Sequence, residues 1–190
     1  MQTGSTGPIS LLVTTTNIHS SVPHQLLLKT LLNLKARLPY EIFQSLDVHV
    51  LYILPNSRDS PNAYINLARL VARTNHVLLF PGNLSMIPPP TMFAALSSQS
   101  LYGYSHLLII SGQNDTNFPF PALAPALMPR DHSVWCTERF FLSSSRDFDW
   151  DTCLWQLWLD SFGDIRLLQV SHWTDGQPIV LPMNSTRVRP

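Results

Sequence analysis

Three short apolar runs, each separated from the next by a helical pattern, constrain this chain most. They are Ile9-Ser10-Leu11-Leu12-Val13-Thr14-Thr15, Val48-His49-Val50-Leu51-Tyr52-Ile53-Leu54 and Val77-Leu78-Leu79-Phe80. Each has the length of a buried strand, and Gly7-Pro8 opens the first. Between the first two, Leu27, Leu31, Leu34 and Leu38 recur at helical spacing over 23–37, and Pro39 ends the run. Between the second and third, Pro55 to Pro61 reads as a turn-rich loop, and a helix follows over 62–73 with Asn62 as its N-cap. Strands that alternate with helices predict an α/β domain with a mostly parallel central sheet.

The rest of the chain is read the same way. Pro88-Pro89-Pro90 launches a helix near 91–98, and 106–110 is a fourth strand. Residues 118–129 are rich in proline and read as irregular. Asp149 caps a strong helix over 150–162, which Gly163 ends. Late strands fall at 165–170 and 179–181.

A chain of 190 residues with 45% apolar composition buries a sizeable core as one domain, 1–190. Twelve basic and twelve acidic residues cancel, which argues against nucleic acid or an anionic membrane as partner. No apolar run is long enough for a membrane span, and the first residues lack the basic start and apolar core of a signal peptide. Cys136 and Cys153 lack metal-ligand spacing. Two buried thiols and one disulfide are both open readings, because the compartment decides between them.

Several patterns bear on chemistry. On the 62–73 helix, Ala63, Leu67, Leu70 and Val71 form an apolar stripe, while Asn66, Arg69 and Arg73 share the other face. That polar face is either solvated or turned toward a nucleotide at the carboxyl ends of the strands, where open α/β sheets bind ligands. Trp150, Cys153, Leu154, Leu157, Trp158 and Phe162 form a core stripe, which leaves Trp155 and Gln156 to meet a sugar or another element. Trp173 is a further sugar-platform candidate. Asp147, Asp149 and Asp151 alternate before and within this helix and read first as acids favoured at a helix N-terminus. Asp149 is the candidate general base. The seven histidines show no metal-binding spacing and read as surface or satisfied core residues. Asn83, Asn114 and Asn184 each open an Asn-x-Ser/Thr glycosylation pattern.

Three segments in order carry a resemblance. Gly7-Pro8-Ile9-Ser10-Leu11, Asn66-Leu67-Ala68-Arg69-Leu70-Val71-Ala72 and Phe80-Pro81-Gly82-Asn83-Leu84-Ser85-Met86-Ile87-Pro88 resemble glycosyltransferase family 49, the β-1,4-glucuronyltransferases and xylosyl/glucuronyltransferases. Val180-Leu181-Pro182 is similar to the family too, and 138–156 resembles its fungal members. The resemblance implies a GT-A-like, Rossmann-like nucleotide-sugar transferase domain, incomplete at its C-terminal end. It implies a UDP-sugar donor, a glycan acceptor, a Golgi location and a Mn²⁺ cofactor. A cytoplasmic location follows instead if the absent anchor is genuine.

Under this resemblance Asn66, Arg69, Asn83 and Ser85 fall at the donor site. The family's two metal-binding acids fall on Asn83 and Ser85, which are neutral and weak ligands. The Asn that follows the helix Arg in the family is Leu70 here, and no His follows His172. No metal ligand is therefore assigned. Two functions follow: transfer of a sugar from a UDP-sugar to a glycan hydroxyl, or an inactive relative that binds a glycan or a protein. A structural α/β protein with no role in sugar chemistry is the third reading.

Overall fold

The computed structural model describes residues 7–57, 60–81, 92–93, 95–96, 107–112, 118–136, 146–170 and 173. Asn83, Ser85, the three glycosylation patterns and the 179–181 strand lie outside the described residues, as does most of the 91–98 helix.

The described residues form an α/β fold with two sheets. In the first, β1 (Ile9–Thr15) pairs in parallel with β2 (Leu46–Tyr52), in a register that runs from Ile9 opposite Leu46 to Thr15 opposite Tyr52. The crossover between them holds α1 (Val22–Ala36) and a short α2 (Tyr40–Ser45). Ser21 caps α1 by accepting from the His24 N–H at 3.3 Å, and a proline occupies its first turn. Pro39 ends the leucine run by serving as the N-cap position of α2.

The larger sheet has the order β3 (His76–Leu79), β5 (Ala126–Pro129), β4 (Leu108–Ser111), β6 (Arg166–Gln169). It is mixed, which corrects the expectation of a mostly parallel sheet. β4 and β6 are parallel, but β5 runs antiparallel to both β3 and β4. The cause is a strand inside the proline-rich segment that reads as irregular. Ala126, Leu127 and Met128 are an apolar run short enough to fit between two prolines. Pro125 still contributes its carbonyl, which accepts from the Ile110 N–H at 2.8 Å.

The core lies on this sheet. Val77, Leu79, Ile109, Ala126 and Met128 pack against α4 (Arg146–Asp160) through Trp150, Cys153, Leu154 and Leu157. Each such large apolar side chain contributes about 1.5–3 kcal/mol by leaving water. The Trp150 indole N–H donates to the Ala124 carbonyl at 2.7 Å, so its polar atom is satisfied inside the core. A second cluster joins Met92, Ile110, Val170 and Trp173, with Phe80 against the Trp173 ring. Trp173 is thereby core rather than an open sugar platform.

α4 starts earlier than expected. It begins at Arg146, so Asp149 is its fourth residue and not its cap. Acids are favoured throughout a first turn, so their spacing alone does not mark which one is the cap. Gly163, at φ 80°, ends the helix, and its N–H donates to the Trp158 carbonyl at 2.9 Å. Phe162 leaves the core stripe because it lies past the helix end at φ 53°, and it is 99% exposed.

α3 (Pro61–Leu70) packs against β1, β3 and α4. Ser60 occupies the cap position, so Asn62 lies inside the helix. The helix is turned opposite to the expectation. Asn62, Asn66 and Arg69 are buried, whereas Leu70 and Val71 are 52% and 36% exposed. Its polar face is the inner one for these three, whereas Arg73, expected on the same face, lies past the helix end, exposed and paired with Asp47 of β2.

Candidate functional site

The inward polar face of α3 has a specific task. Residues 130–136 follow β5 as a strap without strand partners, and the carbonyls of His132, Val134 and Cys136 recur at every second residue. Buried carbonyls need donors. Arg69 donates from Nη2 to His132 at 3.2 Å and from Nη1 to Val134 at 3.0 Å. Asn66 donates from Nδ2 to Cys136 at 2.7 Å. One turn earlier, Asn62 donates from Nδ2 to the Asp149 carbonyl on α4 at 3.0 Å. The three side chains stand at i, i+4 and i+7, one above another on one helix face.

Arg69 is further enclosed. Nη1 lies 3.0 Å from Met128 Sδ, and the guanidinium carbon sits 4.3 Å from the centre of the Trp135 ring. Burial pushes its pKa down, and Asp131 opposes this. Its Nε and Asn66 Oδ1 have no hydrogen-bond partner among the described residues. Beneath the strap, Cys136 forms a disulfide with Cys153 of α4, with Cα atoms 4.8 Å apart. The open question about the thiols is answered: they are paired.

Asn66 and Arg69, both expected at the donor site, are therefore side by side but committed to backbone carbonyls. Asp149 lies on α4 and is joined to the same helix face through Asn62, by its carbonyl and not its carboxylate. Among the described residues, no cluster of three or more His, Cys, Asp or Glu side chains is placed to hold a metal. The neutral donor set Asn83 and Ser85 is a poor fit for Mn²⁺, which takes hard anionic oxygens.

A different group of residues collects at the carboxyl end of the β1–β2 pair. Tyr52 is the last residue of β2, opposite Thr15. The loop after β1 brings His19, and the first turn of α1 brings His24, against it, with ring centres 5.6 Å and 5.3 Å from the Tyr52 ring. The two imidazoles are 4.8 Å apart. His24 is buried, Tyr52 is 42% exposed and His19 is exposed.

Hydrogen bonds fix the polarity of this cluster. Ser20, at φ 66°, directs its backbone N–H to His24 Nδ1 at 3.0 Å. The neutral His24 ring therefore carries its proton on Nε2 and donates it to the Tyr52 hydroxyl oxygen. With that oxygen accepting from behind, the phenolic proton is directed away from His24. His19 Nδ1 is bound to Ser20 Oγ at 2.9 Å, which leaves its Nε2 on the exposed side. The cluster presents two exposed rings and an outward hydroxyl donor, a surface suited to a planar ring and to acceptor oxygens.

Sequence reasoning missed this group. Taken one by one, the histidines read as surface or satisfied core, and His24 is satisfied in that sense. The signal lay in topology, because Tyr52 ends β2 and His19 lies in the loop that follows the parallel strand β1, the end at which open α/β sheets bind ligands. No helix among the described residues is long and apolar enough to cross a membrane. Comparisons with protein families, curated proteins and solved structures each find no match to this chain.

Proposed function

We propose that this chain is a glycosyltransferase-like protein of the family 49 type that binds a nucleotide sugar without metal-dependent catalysis. The observation that carries this reading is the His19–His24–Tyr52 cluster at the carboxyl end of the parallel β1–β2 pair. A UDP-sugar has a planar base for the rings and acceptor oxygens for the Tyr52 hydroxyl. The motif order from Gly7 to Pro88 supports the same reading.

Two features favour binding over transfer. Asn83-Leu84-Ser85 stands where the resemblance expects two acids. Asn66 and Arg69 spend their donors on the strap rather than on a diphosphate. The Cys136–Cys153 disulfide favours an oxidising compartment such as the Golgi lumen, where the glycan acceptor would also be found.

A second reading keeps sugar transfer, with Asp149 as general base on a glycan hydroxyl. It is favoured by the position of Asp149 on the helix tied to α3 through Asn62. Calorimetric titration with UDP, with and without Mn²⁺, separates the readings. Binding that ignores Mn²⁺ supports the first, and binding that requires Mn²⁺ sinks it.

A further inference from the structure

We propose that residues 130–136 are an acid-labile strap, released from α3 when His132 takes up a proton. His132 is the hinge of the strap. Its N–H donates to the Pro129 carbonyl at 3.1 Å, and its carbonyl accepts from Arg69. Its Nδ1 accepts the Val134 N–H at 3.2 Å, which requires an unprotonated nitrogen there. A second proton turns that acceptor into a donor facing a donor. The Val134 turn then loses its closure, and the Val134 carbonyl is one of the two that Arg69 holds.

The charged groups around the ring act in both directions. From α3, Arg69 opposes a second positive charge. From α4, Asp160 Oδ2 lies 3.7 Å from Nε2 and favours protonation, but it is 45% exposed and so partly screened by water. On the strap itself, Asp131 is paired with Arg130 at 3.1 Å. Burial is the largest influence, and it holds the His132 pKa below its ordinary value. The sign follows. A histidine whose folded pKa is depressed stabilises the fold above its unfolded value of about 6.5. That contribution fades as pH falls through the folded value. Release would free the Arg69 guanidinium and the Trp135 ring, while the disulfide keeps the strap tethered at Cys136.

The test is amide hydrogen exchange by mass spectrometry on the full, oxidised chain at about pH 7.5 and about pH 5, corrected for intrinsic rates. The His132 and Val134 amides should lose protection at the lower pH, by up to about thirtyfold, since one linked proton gives about a decade per pH unit below the unfolded value of about 6.5. His132→Asn, whose side-chain oxygen still accepts the Val134 N–H but does not titrate in this range, should abolish the loss. An equal loss in His132→Asn, or no loss in the wild type, overturns the proposal. An NMR titration of the wild-type imidazole gives an independent reading. A His132 pKa below about 6.5 supports the strap, and one above it contradicts it.

Discussion

Asn66 Nδ2 donates to the Cys136 carbonyl at 2.7 Å, so α3 grips the strap at the residue that the disulfide ties to α4. A non-covalent and a covalent bond therefore converge on Cys136. Beyond the backbone bonds of Arg130 and His132 to the Asn75 and Pro129 carbonyls, the carbonyls of His132, Val134 and Cys136 are held by side chains of α3.

Asn66→Ala strands a buried carbonyl and leaves a small void. It should cost about 1–3 kcal/mol in urea unfolding, with little effect on UDP affinity. A large affinity loss at unchanged stability would instead return Asn66 to the donor site.

Arg69→Lys should be far from conservative. A lysine ammonium cannot span the carbonyls of His132 and Val134 while stacking on Trp135. We expect a loss of about 3 kcal/mol, read from the shift in the denaturation midpoint. A loss no larger than that of a surface substitution would show that the clamp contributes little.

The disulfide closes a loop with a sequence separation of 17. Replacing both cysteines by serine should lower stability by about 3 kcal/mol, chiefly by freeing the unfolded chain. Chemical unfolding of the oxidised protein and the double variant measures the difference, and equal midpoints would contradict it.

Gly163→Ala places a Cβ on a residue at φ 80°. It should cost about 1 kcal/mol and lower the thermal midpoint by a few degrees. An unchanged midpoint would mean that the turn after α4 relaxes freely.

Much of the backbone order was legible in the sequence. The apolar runs at 9–15 and 77–80 mark β1 and β3 to within a residue, and Gly163 marks the end of α4. The α4 stripe was legible because Trp150, Cys153, Leu154 and Leu157 obey the rule that apolar residues face inward. α3 breaks that rule. Its inner face is polar because the strap presents carbonyls to it, and the need for those donors lies about 65 residues further along the chain. β5 was hidden by its prolines, which read as irregular chain but only bound the strand. The ring cluster was hidden by distance, since Tyr52 meets His24 across 28 residues.

Calorimetric titration of UDP into the wild type and into Tyr52→Phe, with and without Mn²⁺, tests the central claim most directly. The wild type should bind UDP equally well in both conditions, and Tyr52→Phe should weaken binding about tenfold through loss of one directed hydroxyl donor. Failure of the wild type to bind UDP under either condition, or binding that appears only with Mn²⁺, would contradict the account.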